Sequence, residues 1–69
     1  MNININGENK PFPEGISIRD ILDQMGLLEK SVVVELNLEI VPKERWEECR
    51  LKEGDQMEVI GFVGGGAII

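Results

Sequence analysis

The sequence predicts an α+β fold in which a mixed sheet of four or five strands wraps around one main helix. Three observations predict it. The first residues alternate strictly between polar and apolar, which is the period of a half-buried strand. Residues 17–26 carry a single apolar stripe at helical spacing, between a capping residue and a glycine. A β-branched run and further short strand-like segments then follow, broken by turn residues.

The first strand is Asn2-Ile3-Asn4-Ile5-Asn6, with Ile3 and Ile5 on its buried face. Gly7-Glu8-Asn9 supplies turn residues, and Lys10 to Phe12 is placed to return as a short antiparallel strand. Pro11 and Pro13 confine that strand to an edge, because proline donates nothing to a sheet ladder. Ser17 stands as a helix N-cap with Asp20 three residues on, approximating a capping box. Ile18, Ile21, Leu22 and Met25 follow at i, i+3, i+4 and i+7, while Arg19, Asp20, Asp23 and Gln24 take the other face. Gly26 is placed to end the helix in a left-handed conformation.

Val32-Val33-Val34-Glu35-Leu36 reads as a central strand. Asn37 begins a turn, Glu39-Ile40-Val41 returns, and Pro42 stops it. Lys43 to Cys49 reads as one or two helical turns around a single large aromatic, Trp46. Gly54-Asp55 marks a tight turn before a last strand, Met57 to Phe62. The order is β-β-α-β-β, a short helical segment, then β. A lone hairpin cannot cover the helix stripe, so the helix needs a sheet to lie on. The economical solution is the β-grasp arrangement. Residues 1–63 are expected to form that domain, and residues 64–69 a flexible glycine-rich tail.

Composition narrows the chemistry. A chain of 69 residues makes one domain, and it buries only roughly 60% of its unfolded surface. A hydrophobic fraction of 42% argues against disorder. One cysteine and no histidine exclude an internal disulfide, a Cys/His zinc site and the usual nucleophile–base pairs. The chain is therefore expected to be acted on by enzymes rather than to be one. A net charge of −6 speaks against nucleic-acid binding and for basic protein partners. No stretch approaches the ~20 apolar residues of a membrane helix, and Met1 to Lys10 lacks the regions of a signal peptide. A cytoplasmic setting without membrane contact is expected.

Gly64-Gly65-Gly66 directly follows the last strand. Glycines permit backbone shapes closed to other residues and carry no side chain to obstruct a narrow channel. A terminal carboxylate at the end of such a tail can attack an ATP phosphate and become an acyl-adenylate, which sulfur converts to a thiocarboxylate. Taken alone, the triplet reads more readily as a floppy terminus. Its position after the last strand of a short β-grasp chain favours chemistry. If Glu58 points to water, Ile60 and Phe62 share its face and become candidates for partner contact beside the tail. Cys49, with Arg45 and Arg50 near and Glu47 and Glu48 opposing, reads more readily as a small packed hydrophobe than as a sulfur relay. Glu44, Glu47, Glu48 and Glu53 read as a solvated face.

Over nearly its full length the chain resembles the ThiS family, the sulfur carriers of thiamin thiazole synthesis. The likeness rests on Ile3-Asn4-Ile5-Asn6-Gly7, Ser17 to Leu22, Val34-Glu35-Leu36-Asn37, Ile40 to Trp46, Leu51 to Asp55 and Phe62 to Gly66. The resemblance implies a ThiF-like adenylyltransferase that uses ATP, with no cofactor bound to the carrier itself. It implies a cysteine desulfurase system or other sulfide source, and a ThiG-like thiazole synthase as acceptor. It also places the reactive carboxylate on Gly66, or on Gly65 failing that, with Gly64 and Gly65 threading the tail. The family pattern ends at the glycines, whereas Ala67-Ile68-Ile69 follows here, so a processing protease is expected. Two other readings stay open: a MoaD-like carrier for molybdopterin or tRNA thiolation, and a non-covalent β-grasp module with an inert tail.

Overall fold

The computed structural model describes residues 1–63 and 67–68, with side chains through residue 61. Five strands lie in the order β2-β1-β5-β3-β4: β1 Asn2–Ile5, β2 Glu8–Pro11, β3 Val32–Leu36, β4 Glu39–Val41 and β5 Gln56–Val63. The helix α1 spans Ile18–Gln24, and a 3-10 turn covers Lys43–Arg45. The central strand β5 runs parallel to β1, through Asn4↔Gln56 and Ile5↔Met57, and antiparallel to β3. This is the β-grasp arrangement expected from the sequence. Among the described residues, no helix is long and apolar enough to cross a membrane.

The core forms where the helix stripe meets the inner face of the sheet. Ile18, Ile21 and Leu22 of α1 are fully buried against Ile3, Val34, Met57 and Val59. Each such side chain contributes about 1.5–3 kcal/mol by leaving water. Met25, the last member of the stripe, is only half-buried because it caps the helix end. The chain then closes that end as expected: Gly26 takes φ 74°. Its N–H bonds to Asp23 O at 3.0 Å, and Leu27 N–H to Leu22 O at 2.8 Å. That is the Schellman pattern, with buried Leu27 and Leu22 packed at its apolar contact positions.

All four free N–H groups at the start of α1 find acceptors. The Ser17–Asp20 capping box is complete, with Asp20 N–H on Ser17 Oγ at 3.0 Å and Ser17 N–H on Asp20 Oδ2 at 3.2 Å. Ile18 N–H reaches Cys49 O and Arg19 N–H reaches Trp46 O. The Ser17 backbone N–H, then the Ser17 hydroxyl, hold the Asp20 carboxyl below its ordinary range. Slight desolvation opposes them, and Arg50 and Arg19 add to the lowering.

One turn differs from expectation, and the other falls where the sequence placed it. The first hairpin turns at Asn6-Gly7, both with positive φ (51° and 89°), so Glu8 and Asn9 are strand and not turn. Asn-Gly is the preferred pair for a two-residue type I′ turn, whose twist matches that of the strands. The second hairpin turns at Asn37-Leu38, again with both φ positive (51° and 72°). A further feature lies at the end of β5. The ladder with β3 stops at Val32↔Gly61, which leaves the backbone groups of Phe62 and Val63 free of that strand. Phe62 and Val63 pair with Ala67–Ile68, which forms a short strand β6.

Candidate functional site

The site predicted from the sequence has two parts: the glycines after β5 and the sheet surface beside them. Gly64, Gly65 and Gly66 lie outside the described residues, and so does Ile69. What the structure describes is the platform that presents them. β5 is the central strand, paired with β1 at Gln56 and Met57 and with β3 through Gly61, and its last residues, Phe62 and Val63, lead to the glycines beyond both ladders.

Ile60 stands on the open face of the sheet, away from α1, and is 39% exposed. Glu58, two residues back, is exposed on the same face, as the strand period requires. The side chain of Phe62, the second candidate, lies outside the described residues. Sequence reasoning missed the cross-strand partner of Ile60: Val33 of β3, directly opposite and 46% exposed. The β-branched run Val32 to Val34 was read only as part of a central strand, with no face assigned to each residue. In fact only Val34 is fully buried, because alternation turns Val33 outward. Ile40 of β4, 68% exposed, adds a third apolar residue, next to Glu35.

Trp46 is 4% exposed and donates Nε1–H to Val41 O at 2.9 Å. It belongs to the buried core, and its segment also supplies the carbonyls that cap α1. Cys49 is half-buried against the core, in line with the packing reading and not with an exposed relay. Glu44, Glu47, Glu48 and Glu53 are all exposed. Among the described residues, no group of three or more His, Cys, Asp or Glu side chains is placed to hold a metal ion.

Beyond the Val33–Ile60 pair, toward the end of β5, lies a groove of about 630 Å³ lined by Leu28, Lys30, Val33, Lys43, Trp46 and Ile60 among others. Lys30 and Lys43 are exposed at this groove. Glu29 lines the same groove, so its exposed charges are of both signs.

Known proteins align with this chain throughout. The family model described as the ThiS family matches residues 3–66, through the last glycine. The sulfur carrier protein ThiS of Bacillus subtilis is 38% identical over 93% of this chain and 98% of its own length. A thiazole synthase of Paramagnetospirillum magneticum is 37% identical over 97% of this chain, but the chain spans only 21% of that protein. The crystal structure of the thiamine biosynthesis protein ThiS from Geobacter metallireducens superposes with a TM-score of 0.80, at 30% identity, over 96% of this chain and 100% of that one. With the family match running from the first strand to Gly66, and the fold shared at this level, the chain belongs to the ThiS family.

Proposed function

We propose that this chain is a cytoplasmic sulfur carrier of thiamin synthesis whose working end is the carboxylate of Gly66. The observation that carries the reading is the extent of the family match, which runs from Ile3 through Gly66 and stops before Ala67. The body supplies recognition and the glycines supply reach. Three extended residues beyond Val63 span about 10 Å, with no side chain to obstruct a narrow channel.

The chemistry follows from that end group. A protease hydrolyses the peptide bond between Gly66 and Ala67 and frees the Gly66 carboxylate. In a ThiF-like adenylyltransferase, one carboxylate oxygen attacks the α-phosphorus of ATP and pyrophosphate leaves. Sulfide, supplied as such or released when thiols reduce the persulfide of a cysteine desulfurase system and are oxidised to a disulfide, then attacks the acyl carbon of the adenylate and expels AMP. The product is a thiocarboxylate, a soft nucleophile that a ThiG-like thiazole synthase takes up. The thiazole synthases that contain a region similar to this chain support that acceptor. The carrier contributes no catalytic side chain; it is the co-substrate.

The test compares three forms with the host adenylyltransferase and ATP: the chain through Ile69, a chain ending at Gly66, and a chain ending at Gly65. ATP–pyrophosphate exchange is measured for each. The form ending at Gly66 is expected to react, and the form through Ile69 to be at least about a hundredfold slower, the scale of a misplacement of ~1 Å at a reacting centre. Equal exchange by the form through Ile69 would remove the assignment of Gly66.

A further inference from the structure

We propose that β6 is an autoinhibitory strand: paired with the end of β5, it turns the unprocessed chain back on the sheet and slows removal of its last residues. The inference rests on the sulfur-carrier reading above and adds a control on its first step. The pairing is antiparallel, with Phe62 opposite Ile68 and Val63 opposite Ala67. β5 leads toward the glycines, and β6 runs the other way, back toward the middle of β5. To be drawn out along the direction of β5, the chain end must first leave this ladder.

The place for β6 is set by where the neighbouring ladders stop. β1 pairs with β5 at Gln56 and Met57. Asn6, in the first hairpin turn, carries that edge one step further with its side chain. Its Oδ1 accepts Val59 N–H at 2.7 Å, and its Nδ2 donates to Val59 O at 3.4 Å. On the other side β3 reaches Gly61. Phe62 and Val63 therefore run past both neighbours, and among the described residues β6 is the strand that pairs with them. An unpaired strand end is a template for another strand, and the extension is the segment the chain itself supplies. A ladder of two residue pairs near a chain end opens at low free energy. Where opening is fast relative to cleavage, the cleavage rate follows the fraction open, so β6 slows removal without preventing it. The cut after Gly66 then does two things: it ends the chain at a glycine, and it removes the strand that turned the chain back.

The competing explanation is that the extension blocks activation by its side chains alone, with no part played by its pairing. The two differ in how readily Ile69 is removed. Release of isoleucine by a carboxypeptidase that prefers bulky apolar C-terminal residues is measured on the chain through Ile69, alongside thermal unfolding. Phe62→Gly/Val63→Gly weakens the ladder and leaves the residues to be removed unchanged. It is expected to release isoleucine about tenfold faster than the unmodified chain. The opposite change locks the ladder. In a Cys49→Ser background, Phe62→Cys/Ile68→Cys places two thiols directly opposite, within reach of a disulfide. The oxidised form is expected to release isoleucine at least about tenfold more slowly than the same protein reduced. Phe62→Cys/Ala67→Cys, whose positions fall on opposite faces by the strand period, is expected to stay reduced under the same oxidant. Release from a folded Phe62→Gly/Val63→Gly chain at the unmodified rate would overturn the inference. So would equal release from the oxidised and reduced forms of the locked pair, or equal oxidation of the two cysteine pairs; both comparisons decide even where the glycine variant does not fold. ATP–pyrophosphate exchange by the chain ending at Gly66, which lacks β6, tests the carrier reading separately. Exchange there without any effect of β6 on isoleucine release would overturn this inference alone. No exchange there would remove the carrier reading and this inference with it.

Discussion

Asn37 and Asp55, eighteen residues apart, are joined by a hydrogen bond of 3.1 Å from Asn37 Nδ2 to Asp55 Oδ1. It ties the β3–β4 turn to the start of the strand that carries the tail. Asn37 Oδ1 also accepts Gln56 N–H at 3.0 Å, and Asn37 N–H donates to Gln56 O at 2.7 Å. Asp55, only 4% exposed, accepts Lys52 N–H on its other oxygen at 2.9 Å. Replacing Asp55 with alanine strands the Lys52 N–H and the Asn37 amide together. The expected loss is about 2–3 kcal/mol, read as a lower urea midpoint with an unchanged slope.

Asp20 sets an acid limb in stability. Its pKa in the folded chain is lowered, chiefly by the Ser17 backbone N–H and then by the Ser17 hydroxyl. A carboxyl lowered on folding contributes stability that is fully present above its unfolded value, ~3.9, and is lost as pH falls through the folded value. Stability measured from pH ~6 down to ~2 should therefore fall less steeply in Asp20→Asn than in the unmodified chain. Identical acid limbs would show that the capping box is not formed in solution.

Most of the fold was legible because its elements carry local signals. The stripe Ile18, Ile21, Leu22 and the Ser17 cap give the helix from spacing alone, and Ile3 and Ile5 give the first strand. The first turn was misplaced by weighting Gly7-Glu8-Asn9 as a cluster over the Asn6-Gly7 pair, whose two positive φ angles are the stronger signal. Val33 was legible in principle, since alternation with buried Val34 turns it outward, but an unbroken β-branched run hides its own period. The opposition of Glu35 and Glu58 was not legible at all, because antiparallel register between strands far apart in sequence is set by the whole sheet. The pairing of Ala67–Ile68 with the end of β5 was hidden for a related reason. It depends on where the β3 ladder stops, and no residue of the tail encodes that.

Leu38 occupies a left-handed conformation, φ 72°, while 89% exposed at the tip of the second hairpin. A branched side chain there costs on the order of 1 kcal/mol that glycine does not incur. Leu38→Gly gives back part of this through the freer unfolded chain, and a net gain of about 0.5 kcal/mol is expected. That corresponds to a melting temperature higher by about 2–4 °C. A lower melting temperature would mean that Leu38 makes a contact its exposure does not suggest.

Trp46 joins the core to the cap of α1. Trp46→Phe keeps an aromatic ring but leaves Val41 O without its donor, and about 1–2 kcal/mol should be lost. Trp46→Ala removes a buried ring at about 3–5 kcal/mol. Native domains as a class are stable by only about 5–15 kcal/mol. For a domain this small, the alanine variant should be largely unfolded at 37 °C by circular dichroism, while the phenylalanine variant stays folded.

The intact mass of the protein isolated from its native host, grown without thiamin, tests the carrier function most directly. One spectrum reports both where the chain ends and whether sulfur has been added. The expected result is a chain ending at Gly66, part of it heavier by the exchange of one oxygen for one sulfur. Fragmentation should place that sulfur on the terminal carboxyl group. A population that retains Ala67-Ile68-Ile69 and carries no sulfur under these conditions would contradict the function proposed here.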